Sequence, residues 1–313
     1  MTALPWYDAQ RMFAAVDFGT AVDALQAALA DGLDPGADPA RGSVPLQRGE
    51  FLLMPSQGTG FAGVKVLTVA PANPDRGLPR IQGVYLLCDA ETLTPRALLD
   101  GTALTTLRTP ALSALAARFL AAAEPARVVV VGSGPQAWGH VHALAAVRDL
   151  VDVVITGRSA QRAERLADRL SAEGFRARAG DASAVADATI VVCATTAAAP
   201  VIDGSSVADD ALVIAVGSHE PDRRELDGAL VGRSQVVVED RATALREAGD
   251  VIIAIAEGHA DAASLTPLAQ IVRGEASVDR TRPRVFKSVG MGWQDLVVAA
   301  ACVTASTGGA GAR

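Results

Sequence analysis

Aromatic residues make up only 4% of this 313-residue chain. Recognition of single-stranded nucleic acid leans on aromatic platforms that stack bases, and so few of them argue against it. Excess positive charge is missing too. The chain holds 28 basic against 35 acidic residues, a net charge of −7. With no basic stripe in the sequence, nucleic acid is not expected as a partner. Cysteine is scarce: Cys88, Cys193 and Cys302 stand far apart in apolar runs. They fit small buried hydrophobes, not a disulfide framework or a zinc site. The four histidines, His140, His142, His219 and His259, form no cluster with cysteines or carboxylates, so no metal is expected. No uncharged apolar run reaches the roughly 18 residues of a membrane span. The opening MTALPWYDAQ has neither the basic start nor the apolar core of a signal peptide. The expectation is a cytoplasmic protein without a membrane partner.

Apolar residues are plentiful, at 50%, and alanine, valine and leucine fill the core that aromatics do not. The length suits one large or two ordinary domains. The most informative segment is RVVVVGSGPQAWGHVHAL, Arg127 to Leu144. A valine-rich buried strand runs into Gly132-Ser133-Gly134-Pro135-Gln136-Ala137, and a helical pattern follows. Strand, glycine turn and helix N-terminus in that order form a pyrophosphate cradle. Gly132 permits the tight turn, Gly134 lets backbone approach phosphate, and Ala137 stands for the third glycine. The next strand, Val151 to Thr156, ends in Gly157-Arg158-Ser159. An NAD site usually carries an acidic residue here, for the ribose 2′-hydroxyl; this chain has none. Arg158, Ser159 and Arg162 instead suit a 2′-phosphate, so NADP(H) is expected over NAD(H). The plain alternative is a solvated helix start with scattered arginines.

Around this motif strands and helices alternate. Strands are expected at 127–131, 151–156, 189–193, 211–216 and 235–238, and helices at 160–173, 183–188 and 242–249. That alternation predicts a Rossmann domain over residues 116–293. Residues 1–115 read differently. A helix over 16–32 puts Phe18, Val22, Leu25 and Leu29 on one face. A loop at 34–42 precedes strand-like pieces at 50–54, 63–69 and 82–88, a hairpin turn at 89–94 and a returning strand at 95–99. An alanine- and leucine-rich helix follows over 101–120. The first part therefore reads as an α+β domain, and the fold class as α/β: a Rossmann dinucleotide-binding domain plus an α+β substrate and dimerisation domain. A strand-like VFKSVG leads to a last helix over 294–304, with residues 294–313 expected to fold back onto the first domain. The tail from Ser306 on reads as disordered.

A cofactor domain needs a surface that holds substrate, and polar residues inside apolar stretches of the first domain are the candidates. Lys65 stands in GVKVL, opposite in direction to Val64 and Val66; a lysine in a short strand is often simply solvated. Arg108 follows LTTL, and its guanidinium suits bidentate grip of a carboxylate. Arg48 is a second possible anchor. Taken alone, each arginine reads as a surface residue before it reads as a ligand.

Several segments together resemble the ornithine cyclodeaminase/mu-crystallin family. They are QRG (47–49), MP (54–55), VKV (64–66), NPDRGLP (73–79), LLDGT (98–102), LTTLRTPALSALA (104–116), GSGPQA (132–137), VGS (216–218), PDRRELD (221–227) and FKSVGMGWQD (286–295). They span nearly the whole chain in order. The resemblance implies a two-domain fold and a homodimer built through the first domain. It implies that Arg48 and Arg108 grip an amino or imino acid carboxylate. Lys65 then sits near the reacting C–N group, as carboxylate contact or proton relay. Thr195 and Thr196 line the cofactor channel, and Trp293 and Asp295 close the pocket, although Trp293 also reads as core. Two departures matter. Ornithine cyclodeaminases carry an aspartate where this chain has His219, and an acidic residue near Arg158. Both departures resemble the ketimine reductase branch, which uses NADPH to reduce a C=N bond beside a carboxylate. The implied substrates are Δ1-pyrroline-2-carboxylate and Δ1-piperideine-2-carboxylate, giving proline and pipecolate, with Lys65 or His219 as general acid. His219 reads equally as a solvated loop residue. Ornithine cyclodeamination, an open-chain amino acid dehydrogenase such as alanine dehydrogenase, and a non-catalytic NADPH-dependent binding protein stand as alternatives.

Overall fold

The computed structural model describes residues 3–123 and 125–308. Strand β1 (Trp6–Tyr7) leads into helices α1 (Ala9–Ala15) and α2 (Phe18–Ala30). Strands β2 (Gly42–Leu46), β3 (Gly49–Gln57), β4 (Phe61–Val69), β5 (Ile81–Asp89) and β6 (Pro95–Asp100) follow, then helix α3 (Gly101–Leu120). Next come β7 (Ala126–Val131), α4 (Pro135–Ala145), β8 (Leu150–Thr156), α5 (Ala160–Ala172), β9 (Ala177–Ala179), β10 (Ile190–Cys193) and β11 (Leu212–Ala215). The chain continues through α6 (Gly228–Arg233), β12 (Gln235–Val238), α7 (Arg241–Glu247), α8 (Gly249–Ala256), β13 (Thr266–Pro267) and α9 (Leu268–Val272). It closes with β14 (Arg284–Lys287) and α10 (Gly292–Gly308). The described residues fall into two compact units. One runs to Thr109 and resumes at Met291; the other is Pro110–Gly290.

The first unit is built on a six-stranded sheet of order β1-β6-β5-β4-β3-β2. Its pairings are antiparallel except β1 with β6. Alternation along β4 buries Lys65, Leu67 and Val69 on the face that also carries Leu52 and Met54. Helix α10 packs on α2, β3 and β4. The lysine thus sits on the apolar face, against the general tendency of strand lysines to be solvated. Asp38 accepts the backbone N–H of Trp293 (2.5 Å) in the first turn of α10 and the Ser56 hydroxyl (2.7 Å). Where a loop reads from the sequence at 34–42, the structure has a 3₁₀ turn at Pro35–Ala37 before β2 begins. Helix α1 and strand β2 carry no readable periodicity and were not expected. Cys193 and Cys302 are buried, but Cys88 is only half-buried.

The second unit holds an eight-stranded sheet, parallel throughout, of order β13-β12-β14-β11-β10-β7-β8-β9. Its central strands are valine- and isoleucine-rich and buried on both faces, as a sheet covered on both sides requires. The strand order reverses between β7 and β10, the place where such sheets open a ligand crevice. The expected strands and helices of this half appear with ends shifted by a residue or two, save that 183–188 is a 3₁₀ turn. The last helix is longer than its pattern: α10 runs through Ser306 to Gly308. The disordered tail expected from Ser306 therefore starts too early, and residues 309–313 lie outside the described residues. Among the described residues no single helix is long and apolar enough to cross a membrane.

Candidate active site

In the first unit two basic groups meet one carboxylate, all of them buried. Lys65, Gln294 and Asp295 have no exposed surface and Arg108 almost none. Lys65 Nζ lies 2.9 Å from Asp295 Oδ1, as a hydrogen bond, and 2.7 Å from Oδ2, as an ion pair outside hydrogen-bond geometry. Arg108 Nε donates to the same Oδ1 (3.1 Å), and its Nη1 donates to Gln294 Oε1 (2.6 Å). Lys65 Nζ also reaches Thr105 Oγ1 (3.3 Å), one turn before Arg108 on α3. Three elements supply the cluster: β4 the lysine, α3 the arginine and threonine, and the first turn of α10 the glutamine and aspartate. With one carboxylate facing two basic groups, the cluster has the charge balance to accept a further anion.

Burial pushes the Lys65 ammonium down to about 7, and the positive charges of Arg108 and Arg41 push the same way while Asp295 opposes them. A lysine near half-ionised at neutral pH is suited to proton transfer. Tyr85 stands beside Lys65 across the β4–β5 pair. Its buried hydroxyl has no hydrogen-bond partner among the described residues, and a side chain at Gly63 would collide with it.

The sheet register separates the two candidate arginines of the β2–β3 hairpin. Gly42 pairs with Leu53, so Arg41 stands one residue before β2, level with Met54. Met54 pairs with Lys65, Lys65 with Tyr85, and Tyr85 with Leu99. Arg41 thus extends the row that carries Lys65. Arg48 lies in the exposed hairpin turn before Gly49, beside the Glu50–Val69 pair. Four residues of β4 separate that pair from Lys65, roughly 13 Å of strand. Arg108 and Lys65 are therefore brought together, and Arg48 is not placed with them. Arg41 was missed because its surroundings, PARGS, look like loop. Asp295, read from the sequence only as closing the pocket, bonds both cations, and Trp293 is buried.

In the second unit the dinucleotide candidates gather at the carboxyl ends of neighbouring strands. Gly132 has φ 136°, and a Cβ on it would stand 2.5 Å from the Ala194 carbonyl oxygen, so only glycine fits. Gly134 caps α4 without any side-chain bond, with Pro135 in the first turn, and the space over its Cα is open. A helix N-terminus under open space suits a phosphate. Ala137 is fully buried, as a helix packed tightly on the strand demands. Ser133 and Gln136 complete the turn. Gly157, Arg158 and Ser159 form the β8–α5 junction; Arg158 and Arg162 are exposed there, and the Ser159 hydroxyl accepts the Arg162 N–H (3.4 Å). Thr195 and Thr196 follow β10, and His219, half-buried, lies in the loop after β11. Together these residues fit a dinucleotide.

The sequence profile of the ornithine cyclodeaminase/mu-crystallin family matches residues 15–308. The chain belongs to that family. A Δ1-pyrroline-2-carboxylate/Δ1-piperideine-2-carboxylate reductase from Azospirillum brasilense is 37% identical over 97% of both chains. Among solved structures, Thermococcus litoralis Δ1-pyrroline-2-carboxylate reductase in complex with NADH and L-proline superposes with a TM-score of 0.92, at 27% identity over 98% of each chain. An archaeal alanine dehydrogenase dimer with bound NAD gives 0.90, at 25% identity over 97% of this chain and 96% of its own. The family fold pairs a Rossmann unit with an α+β unit, and both are present here.

Proposed function

We propose that this family member reduces cyclic ketimine carboxylates, Δ1-pyrroline-2-carboxylate and Δ1-piperideine-2-carboxylate, to L-proline and L-pipecolate in the cytoplasm. The observation that carries this reading is the buried Lys65–Asp295–Arg108 cluster, an anion receptor with a titrating lysine inside it. The bound reduced nicotinamide supplies the hydride. Arg108 holds the substrate carboxylate with its planar fork, and Arg41, in the Lys65 row, takes the second anchoring place in preference to Arg48. Lys65 holds the proton that the ring nitrogen keeps as C2 accepts the hydride, so one C=N becomes CH–NH. General acid help of this kind is worth on the order of 10²–10⁴-fold. His219 serves the nicotinamide side of the site, and Lys65 is the proton donor. The Azospirillum and Thermococcus relatives support the substrate class.

Arg158 and Arg162 support NADPH as the preferred cofactor, with Ser159 beside them and no acidic residue at the junction. The two solved relatives hold NADH or NAD, and substitution of Arg158 tests the preference in this chain. Arg158→Asp is expected to move the kcat/KM ratio towards NADH; an unmoved ratio removes Arg158 from the cofactor site. The deciding experiment supplies purified protein with Δ1-pyrroline-2-carboxylate and NADPH. Cofactor oxidation with stoichiometric proline supports the reading. Dinucleotide binding without oxidation moves it to ornithine, to alanine or to a binding role, each checked with its own substrate.

A further inference from the structure

The second unit contains a buried array of charges that no step above uses. Lys287, at the end of β14, is enclosed; its Nζ lies 2.8 Å from Asp250 Oδ2 and donates to the Ser218 carbonyl (2.7 Å). Asp250, in the first turn of α8, accepts the backbone N–H groups of Glu225 (2.6 Å) and Leu226 (2.8 Å) on its other oxygen. Glu225 is itself fully buried. Its Oε1 accepts both the N–H (2.8 Å) and the hydroxyl (2.7 Å) of Thr195, and its Oε2 accepts the N–H of Gly217 (2.7 Å). One carboxylate therefore joins the loop after β10 to the loop after β11. The two loops touch so closely that a Cβ on Gly217 would collide with the Thr195 carbonyl and with Glu225. The loop after β10 is pressed in turn on the glycine turn, through Ala194 against Gly132.

Position gives this array a use. The glycine turn after β7 is the pyrophosphate end, and the β8–α5 junction with Arg158 lies on one side of it. In the strand order the opposite side is β10 and then β11. A dinucleotide lying across the carboxyl ends of these strands must set its nicotinamide half over the two loops that Glu225 joins. Buried ion pairs are weak sources of stability, and their best-attested benefit is a fixed register. We infer that Glu225, held by Asp250 and Lys287, is the positioning residue that sets the loops carrying the nicotinamide half of the cofactor. This rests on reading the second unit as a nicotinamide dinucleotide site, and not on the identity of the substrate.

The test compares two ligands on the full chain: NADPH, and 2′-phospho-ADP-ribose, which lacks the nicotinamide. NADH and ADP-ribose replace them if the wild type prefers NADH. Glu225→Gln keeps the length but sets an amide N–H₂ against Thr195 or Gly217, leaving a buried donor unmet. Binding of the whole dinucleotide is expected to weaken about 10-fold, with the ADP-ribose form within about 2-fold of wild type. A purely structural role lowers both alike, and equal losses, or none, overturn the inference. Gly217→Ala, which spoils the same junction while leaving every charged residue in the sequence, is expected to give the same split if Glu225→Gln does not fold. Should Gly217→Ala bind both ligands as wild type does, the inference also fails. A wild type that binds neither dinucleotide sinks the cofactor reading itself, an outcome separate from the split.

Discussion

At the scale of single residues, the position of a charge decides its chemistry more than its type does. Arg41, Arg48 and Arg108 are three arginines with three surroundings, and only Arg108 is enclosed beside Lys65 and Asp295. Arg108→Ala is expected to raise KM for a ketimine carboxylate about 10- to 100-fold, the range for lost charge-assisted hydrogen bonds. Arg41→Ala moves KM in the same direction and Arg48→Ala leaves it within about 2-fold. Steady-state kinetics on the three variants checks the order, and a large effect at Arg48 with none at Arg41 reverses the assignment. Asp295 acts through Lys65. It alone pushes the lysine up against burial, Arg108 and Arg41. The proposed reduction needs the lysine protonated, so kcat/KM is expected to fall as pH rises through its value of about 7. Asp295→Asn removes the opposing charge, and the alkaline limb is expected to move down by about one pH unit or more. A pH–rate profile with an unmoved alkaline limb separates Asp295 from the proton donor.

At the scale of elements, what the sequence made legible follows from which residues report on neighbours close in the chain. The turn GSGPQA announced itself because strand, glycine and helix start are contiguous, and Lys65 and Arg108 stood out inside apolar patterns. The partner that joins them did not: Asp295 lies 230 residues from Lys65, and no local period encodes that meeting. Lys287 and Asp250 are similar, each a lone charge in an apolar run, the one signal that a buried pair leaves in a sequence. His140 shows the same limit. It reads as a helix residue after the glycine turn, yet it is fully buried. Nδ1 meets the Gln136 carbonyl (2.7 Å) in the first turn of α4, and Nε2 meets Ser113 Oγ (2.9 Å) on α3. Burial pushes His140 from 6.5 down to about 4. A group lowered on folding lends stability that is complete above its unfolded value and is lost as pH falls through the folded one. Here that window runs from about 6.5 to about 4, and the shift corresponds to up to about 3 kcal/mol. Thermal unfolding followed between pH 7 and pH 4 is expected to show a steep acid loss that His140→Gln flattens. An equally steep loss in the variant assigns the acid sensitivity to other groups.

At the scale of the whole molecule, the six-stranded sheet has two unlike faces. Its inner face is covered by α10, and α2 packs on that helix. Its outer face carries Val44, Leu46, Phe51, Leu53, Val66 and Val84, alternating with the buried row; Val44, Leu46 and Val84 are exposed, and Phe51, Leu53 and Val66 are half-buried. Val44 and Leu46 keep nearly half their surface exposed. A row of apolar side chains on one sheet face is the kind of surface that suits an interface. A second copy of the chain is the partner that fits, since one sheet face laid on its own twin gives a closed two-fold contact. Light scattering on the purified chain is expected to give twice the 32.0 kDa chain mass. Val84→Glu, which sets like charges across the two-fold, is expected to halve that mass. Dinucleotide affinity should hold, because every cofactor candidate lies in Pro110–Gly290. A wild type that scatters as a monomer removes the dimer from the reading. A Val84→Glu protein that remains dimeric moves the interface off this face, and the open row of valines and leucines then needs a different cover.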